Sequence, residues 1–307
     1  MNALAGIVAP VFALILLGAA AVRWGMVDAG GLRGMNDVTF YAGVPALLFS
    51  AVAEADALAG LDLAAAYFVG CLVVFALAVC LAIATLGMGL SEAAATGLNA
   101  AYGNTVMLGI PIVSASFGAP GLAVLMPIIM LHSVLLLPLA SLLIEAGGHG
   151  GANPLRTLRR TLPSLGRNPV ILSILLAIAW RLLGLPVPVP LHRFLALVGG
   201  AAPPLALFCL GASLPGFAVR GALREAGLAT VLKLLMLPAL VWGLAQLLGF
   251  GALPTAVAVL TAGMPTGANA FLLARRTDTG AGASAGTVVV STALSLLTLS
   301  ALLAWLR

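Results

Sequence analysis

The chain repeats its own pattern after roughly half of its length. Residues 10–20 read P-V-F-A-L-I-L-L-G-A-A, and residues 169–179 read P-V-I-L-S-I-L-L-A-I-A, at a spacing of 159 residues. The segment P-A-L-L-F at 45–49 returns at the same spacing as P-L-A-L-F at 204–208, and G-I-P at 109–111 returns as G-M-P at 263–265. Two related halves, each with glycine and proline inside an apolar segment, are typical of secondary transporters. The repeat therefore constrains the fold to two similar halves.

The composition determines which solvent such a fold requires. Hydrophobic residues make up 62% of the chain and charged residues 7%, with a mean hydropathy of +1.19. Soluble domains carry about 25% charged residues, so this chain has too little polar surface for water and needs a bilayer. The basic residues stand singly or in short loops, which argues against a nucleic-acid partner. Cys71, Cys80 and Cys209 lie in apolar runs without metal or disulfide spacing and are predicted to be packing residues.

Ten apolar segments have lengths suited to crossing a bilayer, for which a helix needs about 20 residues. The first half contains Ala3–Val22, Val38–Val52, Leu63–Gly87, Ala93–Gly118 and Leu122–Ile144; the second contains Pro169–Leu183, Phe194–Phe217, Leu228–Leu248, Ala252–Leu273 and Ala281–Leu306. The predicted fold is an all-α integral membrane protein with ten transmembrane helices in two five-helix repeats. The repeats are residues 1–144 and 169–307, joined by a linker at 145–168.

The arginines predict how these segments are oriented. Ten of them follow odd-numbered segments: Arg23, Arg33, Arg156, Arg159, Arg160, Arg167, Arg220, Arg224, Arg275 and Arg276. Arg181, Arg193 and Arg307 fall on the opposite side. Positively charged loops remain in the cytoplasm. The protein is therefore predicted to lie in the cell (inner) membrane with the 145–168 linker on the cytoplasmic side and both termini on the extracytoplasmic side. Because each half has five segments, the second half enters from the opposite side, so the repeat is inverted.

The fourth and ninth segments each contain a Gly-x-Pro near the middle, ending at Pro111 and Pro265. Proline removes a backbone donor and clashes with the preceding turn. Unwound backbone inside a bilayer is tolerated only beside protein or a wet cavity, so two matching breaks predict a midplane site for an ion or polar substrate. The polar neighbours are Asn104, Thr105, Thr266 and Asn269. The alternative, that both prolines only kink lipid-facing helices, stays open at this point.

His132 and Lys233 are the ionisable side chains inside the predicted segments that bear on a site. His132 is in the middle of the fifth, where an ionisable residue is a functional candidate; a neutral, hydrogen-bonded structural histidine is the alternative. Lys233 lies near the start of the eighth and is predicted to extend to the membrane interface; otherwise it would be a cation partner for an anionic substrate. No Asp or Glu lies deep in any segment, so the sequence shows no carboxylate site for a coupling ion.

Motifs of other functional classes are missing from the sequence. It has no G-x-x-x-x-G-K-[ST] motif, which argues against ATP as the energy source. It also has no H-E-x-x-H or C-x-x-C motif and no Ser-His-Asp arrangement. The sequence therefore predicts that the chain is not an enzyme and uses neither a cofactor nor a metal.

Five motifs in order along the chain resemble the auxin efflux carrier family. They are N-D-V-T-F-Y-A-G-V-P-A-L-L-F at 36–49, Y-G-N-T-V-M-L-G-I-P at 102–111, R-N-P-V at 167–170, G-M-P-T-G-A-N-A-F-L-L-A at 263–274 and S-T-A-L-S at 291–295. Bacterial members resemble permeases for malonate, malate and related acids, and plant members export auxin. The resemblance implies a fold similar to the bile-acid sodium symporters, with spans one, two, six and seven as scaffold and the other six as a moving core.

The resemblance also implies a substrate site at the crossing of spans four and nine. Carried onto this chain, it is formed by Asn104, Pro111, Pro265 and Asn269, with His132 at the position in span five where plant members tend to have a neutral amide. His132 is thus a departure from the family pattern. Some plant members also have a long cytoplasmic loop, which is a short linker here.

Together these patterns predict a carrier of small organic anions that works by alternating access. The predicted substrate-binding residues are Asn104, Thr105, Pro111, His132, Pro265, Thr266 and Asn269. The partners are the anion and the lipid bilayer, while coupling to H⁺ or Na⁺ and assembly as a homodimer stay open. An anion channel and a non-transporting membrane sensor are the alternatives. The short loops argue against the sensor, because they leave no soluble output domain.

Overall fold

The computed structural model describes residues 2–54, 60–148, 169–216 and 223–306, and these residues are predominantly helical. The α-helices are α1 Asn2–Arg23, α2 Ala29–Val38, α3 Val44–Glu54, α4 Leu61–Leu86, α5 Leu90–Ala101, α6 Ile110–Gly147, α7 Pro169–Leu182, α8 Val189–Ser213, α9 Leu223–Val231, α10 Leu237–Leu247, α11 Ala252–Ala262, α12 Ala268–Arg276 and α13 Ala281–Trp305. Three π-helical turns, Thr39–Gly43, Thr105–Gly109 and Leu232–Met236, and a 3-10 turn, Leu214–Gly216, connect some of them.

These long apolar segments are helical because a bilayer offers no water to the backbone, and a helix forms all of its interior backbone hydrogen bonds within itself. Among the described residues, five helical runs are long and apolar enough to cross a membrane, namely Leu61–Leu86, Thr105–Gly147, Val189–Ser213, Leu223–Leu247 and Ala281–Trp305. Shorter apolar helices occupy Ala9–Arg23, Leu172–Leu182 and Ala252–Ala262. The chain is therefore built as a multi-pass membrane protein, while the count of ten crossings and the inverted repeat stay predictions.

The second predicted segment begins earlier than expected. Its helical run starts at Ala29 instead of Val38, because the carboxylate of Asp28 caps the helix by accepting a 2.7 Å hydrogen bond from the backbone N–H of Gly31. The run then continues through the π-helical turn into α3. The predicted 145–168 linker overlaps the end of α6 at Gly147, and residues 149–168 lie outside the described residues.

Both predicted helix breaks occur, but one was misplaced. In the ninth segment α11 ends at Ala262 and α12 begins at Ala268, so Pro265 lies in unwound backbone as predicted. In the fourth segment the prediction was wrong, since the unwound residues are 102–104 and Pro111 is the second residue of α6. Pro111 therefore lies inside the helical run Thr105–Gly147, directly after the π-helical turn Thr105–Gly109. Helix α6 itself is interrupted by a kink at Gly118, whose φ of 62° is a backbone conformation that favours glycine.

The described residues pack into two compact units, each of which takes segments from both halves of the sequence. The first unit comprises residues within 1–61, 106–130 and 164–216, and therefore includes α1–α3, α7 and α8. The second comprises residues within 62–105, 131–163 and 217–307, and therefore includes α4, α5 and α9–α13. The scaffold implied by the family resemblance, spans one, two, six and seven, falls in the first unit.

Close helix contacts hold the first unit together. Helix α1 packs on α8 where Gly18 lies against the carbonyl of Phe208, and Gly211 lies against the carbonyl of Ile15. A Cβ at either glycine would collide with that carbonyl, so the two backbones approach only because both residues lack a side chain. Small residues at helix contacts are how membrane helices gain packing energy.

Candidate functional site

Two unwound segments, residues 102–104 and 263–267, lie side by side in the second unit. We call this pair of segments the crossover. Gly103 and Thr266 face each other in an isolated antiparallel β-bridge. Helices α5 and α11 end at the crossover, and α12 begins there. The crossover therefore brings two pairs of helix ends together inside one packed unit.

Backbone hydrogen bonds fix the two segments against each other. The N–H of Asn104 donates to the carbonyl of Pro265 at 2.7 Å, and the N–H of Gly267 donates to the carbonyl of Tyr102 at 3.0 Å. These bonds satisfy backbone groups that the broken helices no longer satisfy, which is necessary in a membrane interior.

For one of the helical bonds left unmade by the break after α5, two other residues supply the missing partners. In a continuous helix the N–H of Gly103 would donate to the carbonyl of Asn99, four residues earlier. Instead, the N–H of Gly103 donates to Nε2 of His132 at 2.9 Å. The carbonyl of Asn99 accepts a 2.7 Å hydrogen bond from the hydroxyl of Thr266. His132 and Thr266 therefore stabilise the open end of α5.

The break after α11 is satisfied in the same way. In a continuous helix the N–H of Thr266 would donate to the carbonyl of Ala262, four residues earlier. The N–H of Thr266 donates to Oγ of Ser291 at 3.0 Å, and Nζ of Lys233 donates to the carbonyl of Ala262 at 2.5 Å. Gly103 and Thr266, which face each other in the bridge, are thus both residues whose backbone N–H donates to a side chain instead of to the carbonyl four residues earlier.

His132 is buried, with 1% of its surface exposed. Its ring packs near the rings of Tyr67, Phe68 and Tyr102, with centroid distances of 6.0, 5.9 and 4.5 Å. Because Nε2 accepts a hydrogen bond from the N–H of Gly103, it is unprotonated, and the proton of the neutral imidazole is on Nδ1. An imidazolium would direct a second N–H at that of Gly103. The geometry is that of the neutral, structural histidine, and contact between His132 and a substrate stays a prediction.

Lys233 does not extend to the interface, so that prediction was wrong. Its side chain is fully buried, with 0% of its surface exposed. It lies in the π-helical turn Leu232–Met236, and its ammonium binds the C-terminal carbonyl of α11. A cation is stabilised at that end of a helix, which explains why the side chain turns inward.

The accessible position beside the crossover is at the start of α12. Asn269, in its first turn, is exposed, and its side-chain N–H donates to the hydroxyl of Tyr102 at 3.0 Å. The N-cap residue Gly267 has no side chain to bond the first N–H groups of α12. Uncapped N–H groups at a helix N-terminus bind anions, and an amide can add a further donor. This arrangement can hold a carboxylate without a charged side chain.

The structure brings six of the seven predicted site residues into the second unit. Asn104, Thr105, Pro265, Thr266 and Asn269 lie in or beside the crossover, and His132 bonds to it. Pro111 belongs to the first unit and lines a cavity of about 320 Å³, together with Pro10, Val11, Leu14, Ala115, Pro203, Pro204 and Leu207.

Sequence reasoning did not select several residues that hold the crossover. Tyr102 and Ser291 lie inside the motifs Y-G-N-T and S-T-A-L-S, so their positions in these motifs were the available signal. Asn99 lies three residues before Tyr102, and its side chain donates to Oγ of Ser284 at 2.9 Å. Across the described residues, no group of three or more His, Cys, Asp or Glu side chains is placed to hold a metal ion.

Comparison with known proteins gives matches along nearly the whole chain. Residues 4–303 match the model of a family described as "Membrane transport protein". A relative from Rhizobium meliloti (strain 1021), named "Putative malonate transporter", is 28% identical over 313 residues, covering 100% of this chain and 97% of the relative. An "Uncharacterized transporter" from Methanothermobacter thermautotrophicus is 28% identical over 292 residues, covering 94% of each chain. These names indicate a transporter rather than an enzyme.

Proposed function

The chain belongs to the auxin efflux carrier family of membrane transport proteins, and we propose that it carries a small organic anion across the membrane by alternating access. The family match over residues 4–303 confirms the resemblance predicted from the five motifs. The substrate class, the mechanism and the site are our proposal. One observation carries it: an uncapped helix N-terminus begins at the crossover, beside an accessible amide.

The chemistry of that helix start favours an anion. The N-terminus of a helix carries a partial charge of roughly +0.5 from its unpaired N–H groups. At the start of α12 these groups have no side-chain cap, and Asn269 is exposed beside them. Asn104, in the facing segment, is fixed at the backbone by its bond to Pro265. We propose that the carboxylate of the substrate binds the N–H groups of α12 and the amides of Asn269 and Asn104.

The surrounding charge also supports an anionic substrate. In the part of the chain that the structure describes, no Asp or Glu is buried, while Lys233 is. A carboxylate entering the crossover would therefore meet no buried negative side chain. The relative named as a malonate transporter supports a dicarboxylate or a similar small acid as the substrate.

The paired segments supply a rigid element for alternating access. Tyr102, Gly103 and Asn104 are bonded to the 263–267 segment or to His132, so the crossover would move as one body with the second unit. We propose ten spans in two inverted repeats, 1–144 and 169–307, in the cell membrane, with both termini outside. Membrane potential alone can drive a monovalent anion, since 100 mV is worth about 2.3 kcal/mol per charge. A neutral His132 favours this uncoupled mode.

A binding screen on the purified chain tests the site. The melting temperature would be measured with malonate, malate and monocarboxylates at constant ionic strength, with malonamide as the uncharged control. A ligand that binds only the folded state raises the melting temperature. We expect a saturable rise for at least one acid and none for malonamide.

Two variants locate the binding. Asn269→Ala should strongly reduce the shift at the same ligand concentration, whereas Asn36→Ala should keep it, because among the described residues the Asn36 side chain bonds within α2, to the carbonyl of Leu32. A screen in which no organic acid shifts the melting temperature would reject the proposed substrate class. An equal shift in wild type and Asn269→Ala would move the site away from the start of α12.

A further inference from the structure

Lys233 is a buried charge without an acidic partner. Its side chain is fully buried, and the buried side chains among the described residues include no Asp or Glu. Removing an ammonium from water without a counter-ion is strongly unfavourable, so buried charges in proteins are normally paired. The environment of Lys233 must therefore supply negative potential in another form.

The ends of two helices supply that potential. The ammonium donates to the carbonyl of Ala262, the last residue of α11. It also lies beside the end of α5, because a Cβ added at Gly103 would be 3.3 Å from Nζ. The C-terminus of a helix carries a partial negative charge of roughly 0.5, and here two such ends converge on one cation.

The titratable neighbours of Lys233 do not neutralise it. Cys71 of α4 interacts electrostatically with Lys233, and its thiol donates to the carbonyl of Ala101 at 3.9 Å. His132 of α6 binds the N–H of Gly103, the residue beside the ammonium, and is neutral because its Nε2 accepts that hydrogen bond. The ammonium is thus held by the carbonyl of Ala262 and by the dipoles of two helix ends.

A hydrogen bond alone does not require a charged group at this place. The equivalent carbonyl at the other break, that of Asn99, is satisfied by the neutral hydroxyl of Thr266. The charge of Lys233 is therefore additional to the bond. Carbonyl oxygens at the ends of broken membrane helices are also the ligands that alkali cations use in transporters.

We propose that the ammonium of Lys233 is a built-in monovalent cation, which occupies a carbonyl site at the crossover where a free ion would otherwise bind. The wild-type chain then needs no Na⁺ at this place. Shortening the side chain opens the site to a free monovalent cation, either Na⁺ or a small alkylammonium ion. The inference goes beyond the proposed function, and it holds whatever the substrate is, because its test reads stability and not transport.

The test compares the full chain in detergent as wild type, Lys233→Ala and Lys233→Met. Melting temperatures would be measured in choline chloride, NaCl and ethylammonium chloride at constant ionic strength. Lys233→Ala should melt lower than wild type in choline and recover with Na⁺ or ethylammonium, by about 3–6 °C at tenfold the dissociation constant. Lys233→Met, whose side chain fills the same space without charge, should not recover.

Wild type provides a test that does not depend on the folding of a variant. Its melting temperature should be the same in choline and in NaCl. A saturable stabilisation of wild type by Na⁺ would mean that a free cation binds beside Lys233, and would overturn the proposal. So would a Lys233→Ala variant that folds but gains no stability from either ion. Lys233→Met with the stability of wild type would show that only the volume of the side chain matters, which also contradicts it.

Discussion

Replacing Thr266 by valine removes one hydroxyl from the crossover while nearly preserving side-chain volume. That hydroxyl donates to the carbonyl of Asn99 at 2.7 Å, between residues that are 167 apart in sequence. The carbonyl has lost its helical partner, because the N–H of Gly103 donates to His132. Thr266 and Asn99 are 0% and 2% exposed, so water does not replace the lost bond.

The expected cost follows from this burial. A buried acceptor left without a donor costs about 1–3 kcal/mol, and each kcal/mol lowers the melting temperature by about 2–4 °C in a domain of 150–250 residues. Thr292→Val is the matched control: Thr292 is 2% exposed, and its hydroxyl has no hydrogen-bond partner among the residues that the structure describes. Removing it should leave stability within about 0.5 kcal/mol of wild type or raise it.

Thermal unfolding followed by tryptophan fluorescence in detergent measures both variants. Thr266→Val should melt several degrees below wild type, and Thr292→Val should melt at or above it. Equal melting temperatures for the two variants would mean that the bond between Thr266 and Asn99 does not stabilise the crossover.

Three further predictions concern transport and topology. Asn104→Ala and Asn269→Ala should each lower kcat/KM for uptake roughly 5–150-fold, because a lost substrate hydrogen bond costs about 1–3 kcal/mol. Expression should be unchanged on an immunoblot, and normal uptake in both variants would remove these residues from the site. His132→Gln should keep potential-driven flux and any pH-driven accumulation in proteoliposomes, because the glutamine oxygen can accept from Gly103; selective loss of pH-driven accumulation would make His132 a proton carrier. A cysteine at Gly148, in a chain lacking its native cysteines, should react with an impermeant thiol reagent only after cells are permeabilised; labelling of intact cells would reverse the assigned orientation.

The helices could be predicted because apolar length and turn residues are local signals. The third predicted segment, Leu63–Gly87, corresponds to α4 at Leu61–Leu86, and the tenth, Ala281–Leu306, to α13 at Ala281–Trp305. Polar residues near a proline also directed attention to the right part of the chain. Asn104, Thr105, Pro265, Thr266 and Asn269 lie together in the second unit for that reason, and His132, selected as an ionisable residue inside a segment, joins them.

The exact break in the fourth segment could not be predicted from local rules. Pro111 lies inside the helical run Thr105–Gly147 and does not mark the unwound residues, whereas Gly103 is one of them. The chain unwinds at Gly103 because His132 and Thr266 replace the lost helical bond, and both are distant in sequence. Tertiary partners of this kind leave no periodic signal in a single sequence.

The predicted position of the Lys233 side chain is wrong for the same reason, because its partner is also distant in sequence. A lysine near the end of a membrane segment normally extends to the interface. Here the carbonyl of Ala262, 29 residues later, is left open by the break in α11 and accepts from the ammonium. Only the folded arrangement of α11 against the π-helical turn shows that an interior site for a cation exists.

Counterflow in proteoliposomes tests the central claim most directly. Vesicles containing the purified chain would be loaded with unlabelled malonate, with membrane potential clamped, and the entry of labelled malonate at trace concentration measured. An alternating-access carrier should accumulate the label transiently above its external concentration, with an initial rate that saturates, and Asn269→Ala should not. Entry that rises linearly with concentration and never exceeds equilibrium would identify a channel and contradict the account.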